Sequence, residues 1–254
     1  MCNAKRTAPH TYSNSCDTKC NKCSAKRSIK HTYDNSCDTK CNVCKKTRKV
    51  THTYKTVTTK ATLSKNGKVE KKCTVCGKVS SKTTVKYVKS IKLSATSYTY
   101  DGKTKSPSVT VKDSGGKKLK KGTDYTVTYS GGRKDVGTYS VKVTLTGKYT
   151  GEKVLTFKIN PSKTSVSKLT AGKGSITATW KKAANMSGYE LQYATAKSFS
   201  GATTVTVSGD STTKYALKNL KAKKKYYVRV RTYKIVNGEK VYSAWSSAKN
   251  IKTK

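Results

Sequence analysis

Acidic side chains, histidine and long apolar runs are scarce in this sequence. Its 254 residues include 12 Asp and Glu and three His, which leaves little material for acid–base catalysis. No stretch approaches the ~18 consecutive apolar residues of a membrane-spanning helix, and the first ten residues lack the apolar segment of a signal peptide. Hydrophobic residues make up only 33%. We therefore expect several small modules without a catalytic site, rather than a single large enzyme core.

Positive charge, by contrast, is abundant. Lys and Arg number 55, giving a formal net charge of +43, and only six of these residues are Arg. Arg, not Lys, has the planar fork that reads bases and phosphates with two hydrogen bonds. The Lys residues are also spread along the whole chain. We therefore predict weak, salt-dependent binding to anionic cell-wall polymers or glycans, and no specific nucleic acid as partner.

A 21-residue repeat organises the N-terminal part of the chain. All nine Cys precede residue 77, and the three His each begin the tripeptide His-Thr-Tyr at a constant spacing of 21 residues. Residues 10–30 and 31–51 are identical at 13 of 21 positions, which include three Cys. Both repeats therefore read His-x5-Cys-x3-Cys-x2-Cys.

This pattern predicts structural zinc. Cys thiolates and His imidazoles at such spacing are the ligands of tetrahedral zinc sites, and repeats this short need metal to fold. Disulfides in a secreted protein are the alternative, but an odd number of Cys and the His in phase with them favour metal. Iron–sulfur ligation would leave the His without a role. The predicted ligands are His10, Cys16, Cys20, Cys23, His31, Cys37, Cys41, Cys44, His52, Cys73 and Cys76.

The sequence does not decide which ligands share an ion. Reading forward from each His gives the sets His10/Cys16/Cys20/Cys23 and His31/Cys37/Cys41/Cys44. Reading from the Cys-x2-Cys turn gives Cys20/Cys23/His31/Cys37 instead. We prefer the forward sets because they complete two sites. The third element resembles a degenerate zinc ribbon, with three ligands around a hairpin that turns at Asn66-Gly67, and its metal is left open.

The first residues continue the repeat. Cys2–Arg6 aligns at the same period with Cys23–Arg27, so the chain starts part-way through a repeat. We expect the C-terminal piece of a longer protein, or the product of a truncated reading frame. A signal peptide is then expected upstream, and an extracellular or cell-surface location with it.

From about residue 88 the chain reads as short alternating strands separated by turns. Inward positions are apolar in segments such as 125–129, 139–145 and 155–159, and Gly and Asp mark the turns, which predicts a β-sandwich. Four Asp residues are predicted to cap turns: Asp101, Asp113, Asp124 and Asp135. The segment resembles bacterial Ig-like repeats of Gram-positive surface proteins, carried by Tyr-Asp-Gly at 100–102, Gly-Thr-Asp-Tyr at 122–125, Val-Gly-Thr-Tyr at 136–139 and Phe-Lys-Ile-Asn-Pro at 157–161.

A second sandwich follows the linker at 160–162. Trp180 is predicted to lie in its core. The segment from Leu220 to Tyr226 has five residues between these two and is followed by alternating Val. It resembles the tyrosine corner of fibronectin type III modules, in which the Tyr hydroxyl ties a loop to the next strand. Residues 243–246 and 250–253 resemble the last strand. Tyr149, Tyr233 and Tyr242 are the predicted exposed aromatics.

The predicted architecture is mostly β. It comprises Cys/His repeats at 1–51, a zinc-ribbon-like hairpin at 52–87, an Ig-like sandwich at 88–160 and a fibronectin type III domain at 161–254. The expected role is a non-catalytic stalk, spacer or adhesion module of a secreted or surface bacterial protein, which could bind a protein partner through sandwich loops or edges. Two alternatives remain open: accessory modules of an extracellular hydrolase, and a zinc-dependent nucleic-acid-binding protein.

Overall fold

The structure is a computed structural model that describes residues 9–23 and 25–254. These residues form strands, turns and irregular segments without any helix, so the predicted mostly β class is confirmed. Consequently, no helix in the described ranges could cross a membrane. The chain divides into two compact units, Met1–Tyr87 and Val88–Lys254. The finer domain boundaries stay predictions, and the predicted alignment of Cys2–Arg6 lies outside the described residues.

The N-terminal unit contains one antiparallel sheet. Its strands are β1 (Tyr54–Thr59), β2 (Gly67–Cys73) and β3 (Val79–Val85), in the order β1-β2-β3. The predicted hairpin is present, but Gly67 begins β2 instead of lying in the turn. A Cβ at this position would lie 2.3 Å from the Thr59 carbonyl oxygen, so the close approach of the two strands requires glycine there.

This sheet has almost no hydrophobic core. All six residues of β1 are exposed, as are six of the seven in β3. The buried hydrophobic residues in the described part of this unit are five Cys, Ala61 and Val85. Burial of apolar surface therefore contributes little to the stability of this unit.

The C-terminal unit begins with an Ig-like sandwich. Its strands are β4 (Val88–Leu93), β5 (Ser97–Thr99), β6 (Val109–Asp113), β7 (Tyr125–Tyr129), β8 (Gly137–Leu145) and β9 (Glu152–Asn160). One sheet pairs β4 with β6, and the other has the order β5-β9-β8-β7. Val141, Phe157 and Ile159 form the core. The Asp113 carboxylate accepts backbone N–H groups at 2.8 and 3.0 Å, which is the predicted turn-capping role.

The second sandwich has two sheets of the predicted kind. Its strands are β10 (Val166–Gly172), β11 (Ser175–Trp180), β12 (Gly188–Ala194), β13 (Thr203–Ser208), β14 (Lys214–Leu217), β15 (Lys225–Val236), β16 (Glu239–Tyr242) and β17 (Lys249–Lys252). One sheet has the order β10-β11-β14, and the other β13-β12-β15-β16, with β17 also paired to β15. Trp180 is buried as predicted and packs edge-on against Tyr189, with ring centroids 5.3 Å apart.

The predicted tyrosine corner is present. Leu220 and Tyr226 are both buried, and the backbone N–H of Lys221 donates to the Tyr226 hydroxyl at 3.1 Å. This bond fixes the loop that leads into β15.

Replacing Tyr226 with Phe should lower the free energy of unfolding of this sandwich by about 1–2 kcal/mol, because the Lys221 N–H loses its acceptor. Denaturant titration would measure the loss. Tyr215→Phe, at an exposed tyrosine, is the control and should leave stability unchanged. Equal losses in the two variants would contradict the assigned role of the corner.

The last strand is split rather than continuous. β16 and β17 flank an irregular segment in which the hydroxyls of Ser243 and Ser246 accept backbone N–H groups of β15, each at 3.0 Å. The Trp245 ring lies against two guanidinium groups, 4.8 Å from the Arg229 carbon and 4.3 Å from that of Arg231. The backbone N–H groups of Ser243 and Ser246 still donate to carbonyls of β15 at 3.0 and 2.8 Å. Side-chain hydroxyls therefore replace only the backbone acceptors in the middle of this edge, and stacking on Trp245 adds to the contact.

Two of the aromatics predicted to be exposed are buried. Tyr149 is 6% and Tyr233 is 3% exposed, so the prediction for them is wrong. Tyr233 lies under Lys240, whose ammonium nitrogen is 4.7 Å from the ring centroid. Tyr242 is half-buried and donates to Glu190 at 2.9 Å. Packing at the ends of these strands buries tyrosine rings that would be expected to be exposed from their position at a strand end alone.

Candidate metal centres

Three ligands converge within each repeat. In the first repeat the turn between Cys20 and Cys23, called the knuckle here, is closed by the Cys20 N–H, which donates to the Ala25 carbonyl at 2.8 Å. The Asn21 N–H donates to the Thr11 carbonyl at 2.9 Å, which draws the His-Thr-Tyr segment alongside the knuckle. His10 Nδ1 then lies 3.1 Å from Cys23 Sγ.

The same arrangement recurs in the next two elements. His31 Nδ1 lies 3.4 Å from Cys44 Sγ, and His52 Nδ1 lies 3.4 Å from Cys76 Sγ. In the third element the β1–β2 hairpin separates the His from its knuckle. Gly77 follows the knuckle of the third element and has φ 73°, a left-handed conformation that glycine adopts readily. At the equivalent position after the second knuckle, Lys45 adopts the same conformation, with φ 60°.

The fourth ligand of a complete set comes from the preceding repeat. Cys16 Sγ lies 3.4 Å from Cys41 Sγ, and Cys37 Sγ lies 3.5 Å from Cys73 Sγ. Within each group the ligand atoms lie within 4.8 Å of one another. The groups are named here as the first cluster (His10, Cys20, Cys23), the second centre (Cys16, His31, Cys41, Cys44) and the third centre (Cys37, His52, Cys73, Cys76).

The structure therefore gathers all eleven predicted ligands but groups them differently. The forward sets His10/Cys16/Cys20/Cys23 and His31/Cys37/Cys41/Cys44 are wrong, since Cys16 and Cys37 each belong to the following centre. The set Cys20/Cys23/His31/Cys37 is not formed either. The third element, which shows only three ligands in sequence, is completed by Cys37.

Hydrogen bonds within the repeat direct the loop cysteine, Cys16 or Cys37, away from its own knuckle. The Asp17 carboxylate accepts the N–H groups of Ser13 and Asn14, and the Asn14 side chain accepts the Cys16 N–H at 2.7 Å. Arg27 donates to the carbonyls of Asp17 and Asn14 at 2.8 and 2.7 Å. The loop is thereby fixed with its thiol facing the next repeat.

The second repeat builds an identical loop. Asp38 accepts the N–H of Asp34 at 2.8 Å, Asn35 accepts that of Cys37 at 2.8 Å, and Arg48 donates to two loop carbonyls. Arg48 also stacks on Tyr33, with 3.5 Å from its guanidinium carbon to the ring centroid. These contacts explain why Asn, Asp, Arg and Tyr recur in both repeats beside the Cys and His.

The spacing of the ligand atoms fits one tetrahedral zinc per centre. Sulfurs bound to zinc at ~2.3 Å lie roughly 3.8 Å apart, close to the 3.4 and 3.5 Å found here. A disulfide requires about 2.05 Å, and the eight described Cys are unpaired. Three thiols and one imidazole form a soft set that suits zinc.

The surroundings divide the thiols into two kinds. The backbone N–H of Cys44 is the main cause that lowers the pKa of Cys41 to about 5, and that of Cys76 likewise lowers the pKa of Cys73 to about 6. Burial raises the pKa of Cys16 to about 11, and its hydrogen bond with Cys41 adds to this. The lowered pKa of Cys41 and Cys73 favours their thiolate forms, whereas the thiol of Cys16 loses its proton when metal binds.

The sequence of the second sandwich also matches a known domain family. Residues 159–249 match the fibronectin type III domain. The fibronectin type III domain of this chain thus includes the tyrosine corner and the split edge around Trp245. A search of the curated proteins returns no match.

Three solved structures have some likeness to this chain, each with a TM-score below 0.5. The FN1–FN3 domains of chicken CNTN1 are 18% identical, with a TM-score of 0.31, over 74% of this chain and 75% of that one. Domains A168–A170 of titin are 16% identical, with a TM-score of 0.28, over 79% and 82%. A DUF3823 family protein from Bacteroides uniformis is 11% identical, with a TM-score of 0.29, over 47% and 76%.

Proposed function

We propose that this chain is a non-catalytic structural and binding segment of a secreted or cell-surface bacterial protein, with structural zinc in its N-terminal repeats. The observation that carries the proposal is the pair of complete Cys3His sets, each joining two successive repeats. Closed four-ligand sets of this kind hold structure, whereas catalytic zinc sites keep a position for water or substrate. Fibronectin type III domains are common in extracellular proteins and are typically non-catalytic.

The junction between the two sandwiches supports a spacer role. Pro161 is buried directly after β9, and the Thr232 hydroxyl donates to the Ser162 carbonyl at 2.6 Å. Across the junction, the Asn185 amide donates to the Tyr100 hydroxyl at 2.9 Å, and Val136 packs into the core of the fibronectin type III domain. These contacts on both sides of a short linker favour a defined spacing between the two modules.

A cleft near this junction does not carry catalytic groups. Its volume is about 460 Å³, and its lining includes Tyr139, Lys158, Asn160 and Asn237 but no Asp, Glu, His or Cys. The His, Cys, Asp and Glu groups that cluster within the described part of the chain are the Cys and His sets above. Both observations favour a structural over a catalytic role.

Metal content tests this proposal directly. Protein purified under reducing conditions should contain about two zinc ions per chain in the complete centres, or three if the first cluster binds as well. Elemental analysis with thiol titration gives the answer. Metal-free protein whose thiols are paired as disulfides would contradict the proposal.

The diffuse Lys charge leads to a second expectation. Binding to DNA, RNA and anionic polysaccharide should be similar and weak, and should fall steeply with salt because counterion release supplies the affinity. Competition between two unrelated nucleic-acid sequences and one polysaccharide at physiological salt measures this. Tight binding to one nucleic-acid sequence, lost in Cys41→Ser/Cys44→Ser, would favour the alternative of a zinc-dependent nucleic-acid reader.

A further inference from the structure

The ligand sets of the second and third centres interleave along the chain. Cys37 belongs to the third centre, but it lies in sequence between His31 and Cys41, which both belong to the second centre. The loop of residues 33–38 therefore carries a ligand of one centre while ligands of the other centre flank it on both sides. Metal at the second centre restrains the backbone before and after Cys37.

Hydrogen bonds extend this restraint into the loop itself. The N–H of Asn42, in the second knuckle, donates to the Thr32 carbonyl at 2.9 Å, and its side-chain amide donates to the Asp34 carboxylate at 2.6 Å. On the other side of the knuckle, Arg48 donates to two loop carbonyls at 2.8 and 2.7 Å. The second knuckle and the loop that presents Cys37 thus form one hydrogen-bonded piece.

This piece has no apolar core that could hold it together without metal. Within residues 31–48 the buried side chains are those of Cys37 and Cys41, and both are metal ligands. Folding of this segment should therefore accompany metal binding at the second centre. A third centre that binds metal afterwards finds Cys37 already in place, whereas a third centre that binds metal alone must also order the loop, at a cost in conformational entropy.

We propose that the second and third centres bind metal cooperatively through the loop of residues 33–38, so that loss of metal from either centre weakens the other. The inference rests on the metal binding of the proposed function. Each centre should bind metal about 10- to 100-fold more tightly when the other is filled, which lies within the usual range for coupled sites. A factor of this size weakens the remaining centre but leaves its four ligands in place. Because coupling between binding sites is reciprocal, the factor is the same in both directions.

Arg48 is the positioning residue of this coupling. It binds no metal, and it lies after the second knuckle, yet its guanidinium group holds the carbonyls of Asn35 and Asp38 and stacks on Tyr33 at 3.5 Å. These contacts connect the backbone that follows the second centre to the residues on either side of Cys37. A change at Arg48 can therefore alter the coupling while every metal ligand remains.

The histidines provide a separate reporter for each centre. The chain contains three His, and His31 and His52 each belong to one of the two complete centres. In the full chain labelled with ¹⁵N-histidine, the ring NMR signal of each residue changes when its own centre binds metal. Titration with buffered zinc under reducing conditions then gives the free zinc concentration at which each centre fills.

Ligand variants measure the coupling in both directions. Cys44→Ser removes a ligand of the second centre only, so the His52 transition should move to about 10- to 100-fold higher free zinc. Cys76→Ser should move the His31 transition by a similar factor. Val43→Ser is the matched control, because this exposed residue lies in the same knuckle and is not a ligand, and it should move neither transition.

A change at Arg48 tests the route of the coupling. Arg48→Ala keeps all eight ligands of the two complete centres, so both should still fill at high zinc. In that background, adding Cys44→Ser should move the His52 transition by a smaller factor than in the unchanged chain, because the contacts between the second knuckle and the loop are already lost. A purely structural role of Arg48 would weaken both centres without altering this factor.

Two results would overturn the inference. One is a His52 transition at the same free zinc in the Cys44→Ser chain and in the unchanged chain. The other is a shift that Arg48→Ala leaves at full size, since the coupling would then not pass through the loop. In either case zinc binding at His31 and His52 would leave the proposed function standing, whereas ring signals that do not respond to zinc at all would refute both.

Discussion

Removing metal with a chelator should unfold the N-terminal unit completely and leave the C-terminal unit folded. Buried hydrophobic residues in the described part of the N-terminal unit, apart from Cys, are Ala61 and Val85. Structural zinc contributes about 10–16 kcal/mol per site in small zinc modules, far more than two small side chains can. Circular dichroism should lose the signal of β1–β3, and limited proteolysis should cleave throughout residues 9–87.

The C-terminal unit is the internal control for this experiment. Its two cores, which include Phe157 and Trp180, contain no Cys, and each sandwich closes without metal ligands. Its thermal midpoint should therefore be the same with and without chelator. A melt of residues 88–254 that moves with chelator, or a chelated N-terminal unit that resists protease, would refute the assignment of metal as the stabilising element.

Changing Cys37 to Ser should empty the third centre and leave the second centre filled. The expected loss is one of two tightly bound metals, together with the β1–β2–β3 sheet, because the third centre ties His52 before β1 to Cys73 at the end of β2. Metal buffering at a level too low to fill three-ligand sites, followed by elemental analysis, gives the count.

Paired substitutions make the grouping unambiguous. Because Cys37 and His52 share a centre, Cys37→Ser/His52→Ala should still lose one metal, whereas Cys37→Ser/His31→Ala should lose both. The forward grouping of ligands predicts that one metal is lost in both double variants, because it places His31 and Cys37 in one centre and His52 in no complete set. Additivity of metal loss thus reports directly which residues share an ion.

The sandwiches could be predicted closely from the sequence because strand alternation and turn residues are local signals. The buried Trp180 and the hydrogen bond to Tyr226 both lie where the patterns put them. Exposure at strand ends could not be predicted, since Tyr149 and Tyr233 are buried by packing that a position at a strand end does not reveal. The split of the last strand was missed because Ser hydroxyls, which carry no strand signal, take the place of its backbone carbonyls as acceptors for β15.

For the metal centres, the sequence identifies the ligands but not which of them share a metal. Forward grouping and the grouping found here each complete two four-ligand sets, so counting cannot separate them. The grouping depends on the direction in which the thiols of Cys16 and Cys37 point. The contacts of Asp, Asn and Arg within each loop determine that direction. The signal available in the sequence was that these polar residues recur in both repeats although they do not bind metal.

The overlap of the two complete centres has a mechanical consequence. One metal closes the chain between Cys16 and Cys44 and the other between Cys37 and Cys76, so the two closed loops share residues 37–44. Tension applied along the chain would pass through metal–sulfur bonds and through the short segment of backbone that joins the two centres, and it would bypass most of the chain between Cys16 and Cys76. Rupture of both would release roughly 200 Å of slack at ~3.4 Å per residue, and the repeats would act as a metal-dependent extension reserve under load.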